Sequence, residues 1–252
     1  MRLNYEVAGN ENGPGILLIH GFLSSNSQWL PNIDALSKDY RLIMAELWGH
    51  GKSPTPRVSA FTLERYDWEL EQIRQDCEVK TWAVIGQSYA AGLAIRYGIN
   101  HPDKTSRIVV TNSRSAFGDI TTQRRPEPKV DENKKEFVDE SRNRHLPIHP
   151  IYARRLPPAI KAKLVAAADT VSKEAIERGG QIGLKLNTLD ILDIVPVPLM
   201  LANGIYEKRF QNDADAIRDK FQNVKVVDLP GGHAVNIEAA AEFNEAILNF
   251  FK

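Results

Sequence analysis

Short apolar runs alternate with helical patterns along most of this 252-residue chain. The predicted strands are Gly15–Ile19, Arg41–Ala45, Trp82–Gly86, Arg107–Thr111, Val197–Ala202 and Val224–Leu229. The helical patterns that follow them cover Ser27–Ser37, Phe61–Asp76, Ser88–Asn100, Asn212–Phe221 and Asn236–Phe251. Continuous apolar strands separated by helices are typical of a parallel sheet buried on both faces. The alternation predicts an α/β fold with a mostly parallel, doubly wound sheet, and the alternating Leu3, Tyr5 and Val7 predict an edge strand.

Residues 115–188 interrupt this alternation, because they contain no clear strand and are rich in charge and proline. Helical patterns are found at Asp131–Asn143 and Pro158–Arg178. We predict a helical cap, or lid, inserted into a core made of residues 1–114 and 189–252. The alternative is a solvated, partly disordered loop, since proline and mixed charge also suit that state.

The sequence Gly86-Gln87-Ser88-Tyr89-Ala90 lies between an apolar strand and a helical pattern. This layout is typical of a nucleophile elbow, in which a sharp turn holds a serine hydroxyl above a parallel sheet. Small residues flank the serine because strand and helix approach closely at the turn. The usual form is Gly-x-Ser-x-Gly, and here Ala90 adds one methyl group. Ser88 is the predicted nucleophile.

His20-Gly21-Phe22 directly follows the first parallel strand. A turn at this place can direct backbone N–H groups into the space above the sheet. We expect the N–H groups of Phe22 and Tyr89 to form an oxyanion hole, at the start of a helix that favours negative charge. His20 is expected to be a buried structural residue rather than a proton carrier.

A nucleophilic serine needs a base, and the base needs an acid to orient it. Gly231-Gly232-His233 follows the last predicted strand, so His233 is the predicted base. Glu207 follows the preceding strand and is the preferred acid, with Asp119 as a competing position. Asp213 and Asp215 are weaker alternatives that fit the start of a helix better.

These motifs resemble the α/β-hydrolase superfamily almost from end to end. The resemblance rests on the segments His20-Gly21-Phe22, Trp29, Gly49-His50-Gly51-Lys52-Ser53, the elbow, Gly204-x-x-Glu207, and Gly232-His233 with Ile237-Glu238. It implies a triad of Ser88, Glu207 and His233, in the family's chain order, and action without a cofactor. Departures from the family pattern are Ala90, Glu46 and Trp48 before the Gly-x-Gly turn, and Glu207 where most relatives have aspartate.

The resulting hypothesis is a serine hydrolase (a carboxylesterase or lactonase) that cleaves a small ester, lactone or related carbonyl compound through an acyl-enzyme. One alternative is a C–C bond hydrolase or cofactor-free lyase on the same fold, and another is a weakly catalytic ligand receptor. A serine nucleophile argues against epoxide hydrolysis, for which relatives use aspartate. Besides Phe22 and Tyr89, the candidate pocket residues are Leu23, Phe117, Phe137, Tyr152, Ile205 and Tyr206.

Charge and composition exclude several other classes of function. Lys plus Arg and Asp plus Glu both number 32, so nucleic acid is not an expected partner. No apolar run is long enough for a membrane span, and no histidine has metal-ligand spacing. The single cysteine, Cys77, is expected at a helix end and fits a reducing, cytoplasmic compartment. The expected partner is a small-molecule substrate, and a homodimer is left open.

Overall fold

A computed structural model describes residues 1–118 and 143–252. Strands β1 to β7 cover Tyr5–Gly9, Gly15–Ile19, Arg41–Ala45, Trp82–Gly86, Thr105–Thr111, Leu199–Gly204 and Val224–Leu229. Helices α1 to α9 cover Leu30–Leu36, Leu63–Asp76, Ala90–Asn100, Arg114–Phe117, Pro158–Asp169, Lys173–Gly183, Gln211–Lys220, Val235–Glu238 and Ala240–Phe251.

The described strands form a single sheet in the order β1-β3-β2-β4-β5-β6-β7. Strand β1 is an antiparallel edge strand, and all other neighbours pair in parallel. This confirms the predicted mostly parallel α/β sheet. Because the strands are parallel, the loops that follow β2, β4, β6 and β7 all emerge at the same edge of the sheet.

Both faces of the sheet are covered, as the continuous apolar strands predicted. In β2, Leu17 and Ile19 pack into a core with α2, α3 and α7, whereas Ile16 and Leu18 pack into a second core with α1 and α9. Successive side chains of a strand point to opposite faces, so a strand buried on both sides is apolar at every position.

Several predicted boundaries differ from those in the structure, and three of these differences have a clear local reason. Strand β6 begins at Leu199 rather than Val197, since Pro198 has no N–H to donate to a ladder. The pattern Asn236–Phe251 is divided at Ala239, whose backbone is not helical. The pattern Pro158–Arg178 is also two helices, because the Ser172 hydroxyl accepts a hydrogen bond from the Ala175 N–H and starts α6.

We call residues 143–188, which include α5 and α6, the α5–α6 segment. It is the described part of the predicted cap, and its end returns to the core where the Thr188 N–H donates to the Ala116 carbonyl at 2.8 Å. The predicted helix Asp131–Asn143 lies outside the described ranges except for its last residue, Asn143. No helix in the described part of the chain has both the length and the apolar character needed to cross a bilayer.

A buried network of amide side chains joins the start of α1 to the C-terminal helices. The Asn236 side chain donates to the Gln28 carbonyl at 2.8 Å and accepts from the Gln28 amide at 2.8 Å. The Asn32 amide donates to the Asn236 carbonyl at 2.9 Å and to Asn244 Oδ1 at 2.8 Å. Asn236 lies three residues after His233, so the network anchors the loop that carries the predicted base.

We predict that Asn236→Ala lowers the free energy of unfolding by roughly 2–4 kcal/mol, because the Gln28 side-chain amide loses its acceptor and the Gln28 carbonyl and Asn32 Oδ1 lose a donor in a buried site. Exposed Asn249→Ala in α9 is the matched control and should change it by less than about 0.5 kcal/mol. Urea unfolding at neutral pH measures both. Equal stability of the two variants would contradict a supporting role for the network.

Candidate active site

The turn between β4 and α3 forces Ser88 into a left-handed backbone conformation, with φ of +51°. Such a conformation is strained for a residue with a side chain and is common at functional sites. At Gly86 a Cβ atom would lie only 2.4 Å from the Ala90 carbonyl oxygen, so the turn requires glycine there. The Ser88 N–H donates to the Thr111 hydroxyl at 3.0 Å, which fixes the turn to neighbouring β5.

The loop after β2 passes directly over this turn. A Cβ atom at Gly21 would lie 2.0 Å from Gln87 Oε1 and 3.3 Å from the Ser88 Cβ. Among the described residues, no acceptor is paired with the backbone N–H of Phe22 or of Tyr89. The structure therefore brings both predicted oxyanion donors beside the predicted nucleophile with their N–H groups available.

Two buried histidines hold the loop after β2. The Leu23 N–H donates to His50 Nε2 at 3.1 Å, and the Leu47 N–H donates to His20 Nε2 at 3.2 Å. Because an N–H can only donate, both Nε2 atoms are unprotonated and both rings carry hydrogen on Nδ1. His50 Nδ1 then donates to the Trp48 carbonyl at 2.9 Å, and His20 Nδ1 donates to the Gly21 carbonyl at 2.7 Å.

Burial keeps both rings neutral. Desolvation, with the neighbouring His50 ring, lowers the pKa of His20 from 6.5 to about 3. Desolvation likewise lowers the pKa of His50 to about 4. These contacts are those of a structural residue, the role expected for His20. His50 has a similar role that was not predicted, since it holds Leu23 at its left-handed φ of +53°.

Glu46 and Trp48, which differ from the family pattern before the Gly-x-Gly turn, both make contacts that stabilise the fold. The Glu46 carboxylate accepts from the Asn4 amide and the Lys52 N–H, both at 2.8 Å, and so closes the loop that contains Gly51. The Trp48 side chain is buried, and the Trp48 backbone N–H donates to the Tyr66 hydroxyl at 3.2 Å.

The predicted base and acid are in direct contact. His233 Nδ1 lies 3.0 Å from Oε1 and 2.9 Å from Oε2 of Glu207. Their two loops touch where Gly204 has no side chain, since a Cβ there would lie 2.0 Å from the Gly232 carbonyl oxygen. The competing Asp119 lies outside the described residues. Asp213 is in the first turn of α7, as its helix-start interpretation predicted, whereas Asp215 lies further along the helix and pairs with Arg218.

The Glu207 contact controls the charge of His233. The His233 side chain is 51% exposed, and it directly follows the buried Gly231 and Gly232. Desolvation there favours the neutral ring, yet the hydrogen bond and charge of Glu207, with the charge of Glu238, outweigh it and raise the pKa of His233 above 6.5. With Nδ1–H donated to Glu207, Nε2 on the opposite side of the ring can exchange a proton.

Four further residues position these groups and were not predicted to do so. Glu238 accepts from the Gly232 N–H at 2.9 Å, and the Gln87 amide donates to the His233 carbonyl at 3.2 Å. The Asn112 side chain makes two bonds with the Gly204 backbone, at 3.0 and 2.8 Å. Thr111 and Asn112 could have been suspected, since they are polar residues at the carboxyl end of an apolar central strand.

The candidate pocket residues have different environments. Leu23 and Phe117 are buried in apolar clusters, and Phe117 packs against Phe210. Tyr152 is exposed and donates its hydroxyl to the Arg144 carbonyl. Ile205 and Tyr206 are exposed beside Glu207. Phe137 lies outside the described residues.

No cluster of three or more His, Cys, Asp or Glu side chains with metal-binding geometry occurs within residues 1–118 and 143–252. Cys77 is buried at the C-terminal end of α2, as predicted, and burial raises the pKa of its thiol. A raised pKa makes this thiol a poor nucleophile.

Comparison with known proteins gives matches along the whole chain. A family model described as alpha/beta hydrolase fold matches residues 14–240. The crystal structure of the enol-lactonase from Burkholderia xenovorans superposes with a TM-score of 0.78 and 20% identity, covering 99% of this chain and 96% of that one. The epoxide hydrolase of Bacillus megaterium gives a TM-score of 0.79 and 18% identity, covering 99% and 96%.

Among curated sequences, Epoxide hydrolase 3 of Xenopus tropicalis is 27% identical over 122 residues. That match covers 47% of this chain and 33% of the relative, so the chain spans about a third of the length of this curated relative. The identities to both solved structures are below the level at which activity can be transferred, and they establish the fold alone.

We predict that His20 and His50 stay neutral in the folded protein down to about pH 5 and carry their hydrogen on Nδ1. Both pKa values are lowered by folding, so the unfolded chain binds more protons between pH 6.5 and about pH 4. Stability is therefore lost as the pH falls below 6.5, by about 2 kcal/mol per ring at pH 5.

Imidazole ¹⁵N NMR at pH 7.5 and 5.0 measures the tautomers, and urea unfolding at the same pH values measures the stability. A ring that titrates above pH 6, or that carries hydrogen on Nε2, would contradict this account of the loop.

Proposed function

Because the chain belongs to the α/β-hydrolase family, which confirms the fold and the relationship predicted from its sequence, we propose that it hydrolyses a small ester or lactone with Ser88 as nucleophile. The observation that carries the proposal is the bond between His233 Nδ1 and the Glu207 carboxylate, at 2.9–3.0 Å. It leaves Nε2 of a half-exposed imidazole available at the sheet edge where the strained Ser88 turn also lies.

The reaction would proceed through an acyl-enzyme. Ser88 Oγ attacks the substrate carbonyl carbon while His233 Nε2 takes the hydroxyl proton. The carbonyl oxygen becomes an oxyanion that accepts hydrogen bonds from the Phe22 and Tyr89 N–H groups. His233 then gives its proton to the leaving alcohol oxygen as the C–O bond breaks. A water molecule attacks the acyl group by the same sequence and regenerates Ser88.

Electrostatics at the site favour this charge pattern. The oxyanion would form at the N-terminus of α3, where the helix dipole and unpaired N–H groups stabilise negative charge. The imidazolium that forms at the same time is stabilised by Glu207, as the raised pKa of His233 indicates. Both oxyanion donors are backbone groups, so they are already oriented before the substrate binds.

The nucleophile type supports ester chemistry over epoxide chemistry. An acyl group on serine is an ester that activated water can cleave. An alkyl group on serine, the product of attack on an epoxide, would be an ether without a carbonyl for water to attack. Relatives that open epoxides use aspartate at this place, so Ser88 favours a carbonyl substrate even though an epoxide hydrolase is a structural neighbour.

We expect Ser88→Ala to lower kcat/KM for p-nitrophenyl acetate by roughly 10⁵-fold or more, as loss of a triad nucleophile does elsewhere. A fluorophosphonate probe should label the wild-type protein and Ser106→Ala, which changes an exposed serine on β5, but not Ser88→Ala. A panel with an enol lactone, aryl esters and a vinylogous 1,5-diketone would define the substrate class.

The same panel separates the proposal from its rivals. Turnover of the diketone with negligible esterase activity would indicate a C–C hydrolase instead. A wild-type protein that neither reacts with the probe nor turns over any ester would indicate a ligand receptor and overturn the proposal.

We expect Glu207→Gln to lower kcat by roughly 10²–10⁴-fold, because the amide cannot stabilise the imidazolium. The neutral ring is the base, so wild-type kcat/KM should rise with pH through the raised pKa of His233. Removing the Glu207 charge removes a cause of that rise, so the midpoint should move to lower pH. Glu207→Asp should recover part of the rate, whereas an unchanged pH midpoint in Glu207→Gln would exclude Glu207 as the acid.

A further inference from the structure

Helix α6 contains three glycines that face different surroundings. Gly180 is exposed, and a Cβ atom there would meet nothing within 4 Å. At Gly183 a Cβ would make an ordinary contact of 3.5 Å with the Tyr89 ring. At Gly179 a Cβ would lie 2.3 Å from the Phe22 ring, which is too close for any real side chain. Only at Gly179, therefore, does the helix need glycine for packing.

Gly179 contacts both residues that supply the proposed oxyanion donors. The Phe22 ring lies against its bare Cα, and the Tyr89 hydroxyl donates to its carbonyl oxygen at 3.0 Å. The two rings are stacked on each other, with centroids 5.2 Å apart and planes 25° apart. One residue of the α5–α6 segment thus meets the side chains of residues 22 and 89 at once.

Neither aromatic side chain can move freely away from this contact. The Tyr89 side chain is buried, and the Phe22 ring also packs against the His50 ring at a centroid distance of 5.2 Å. His50 in turn accepts the Leu23 N–H, so a displaced Phe22 ring would disturb its own loop. A group added at Gly179 would therefore act on the backbone at Phe22 rather than be absorbed by a rotamer change.

We propose that Gly179 is a positioning residue of the oxyanion hole: its missing side chain and its carbonyl oxygen fix, through the Phe22 and Tyr89 rings, the two backbone N–H groups beside Ser88. The inference rests on the proposed function for its kinetic consequence. Under this proposal the α5–α6 segment influences the rate of the chemical step, in addition to any role in enclosing the substrate. An oxyanion hole is sensitive to displacements well below 1 Å, because its hydrogen bonds act at 2.7–3.1 Å.

The test is a matched pair of substitutions one residue apart, Gly179→Ala and Gly180→Ala. Both add the same methyl group to the same helix. Gly179→Ala should lower kcat by roughly 10–100-fold with a smaller change in KM, because misplaced donors weaken binding of the transition state more than of the substrate. Gly180→Ala should stay within about twofold of wild type and keep or raise Tm, since alanine favours helix.

A second background separates positioning from general damage. Phe22→Leu keeps the backbone N–H but shortens the side chain that occupies the space over Gly179. If the methyl group acts through the Phe22 ring, the factor by which Gly179→Ala lowers kcat should be at least about fivefold smaller in the Phe22→Leu protein than in wild type. Equal losses in the two backgrounds, or equal kcat for the Gly179→Ala and Gly180→Ala single variants, would overturn the inference.

Backbone amide NMR gives a readout that does not need activity. The Phe22 and Tyr89 amide resonances should shift in Gly179→Ala and stay in place in Gly180→Ala. If these shifts appear in a protein that hydrolyses no ester, the positioning role holds and the proposed function fails. If the protein is an active esterase and the two amides do not respond to Gly179→Ala, the function holds and the positioning role is wrong.

Discussion

The left-handed backbone at Ser88 is the constraint on which the rest of the site depends. Such a conformation costs of order 1–3 kcal/mol and persists only where the surrounding structure holds it. Here β4 lies in the middle of the sheet, between β2 and β5, and Gly86 lets the first turn of α3 approach the strand end. The Thr111 hydroxyl then accepts a hydrogen bond from the Ser88 N–H. The strain is therefore balanced by a core buried on both faces of the sheet.

In a parallel sheet, the topology alone brings together residues that are far apart in the sequence. The loops after β2, β4, β6 and β7 all leave the same edge, so the turn that carries Ser88 lies at the same edge as the Glu207–His233 pair, although Ser88 and His233 are 145 positions apart in the chain. Fine placement then depends on backbone contacts that side chains would prevent. Gly21 lies against Gln87, and Gly204 lies against the carbonyl of Gly232. The loops of the site therefore pack against each other at positions where glycine leaves room for the neighbouring loop.

The sequence predicted the strands well, because burial on both faces makes every position apolar and leaves a signal that needs no tertiary knowledge. It also predicted the Glu207–His233 pair, but it could not choose between Glu207 and Asp119, since chain order places both after sheet strands. Helix breaks at Ser172 and Ala239 were missed, because periodicity does not register a cap or a single non-helical residue. The hydrogen bond from the Leu23 N–H to His50 could not be predicted either, because it joins two loops that only the folded sheet brings together.

The α5–α6 segment touches the site on both sides, which argues against treating it as a passive cover. On one side Gly179 meets the Phe22 and Tyr89 rings beside Ser88. On the other, Leu156 and Leu164 pack against Ile237, in the helix that directly follows the His233 loop. A change in this segment that alters the space for substrate therefore also moves groups on either side of the reacting atoms. If Gly179 positions the proposed donors, selectivity and rate would be coupled through this segment, because the same helices that cover the site would also hold groups beside the reacting atoms.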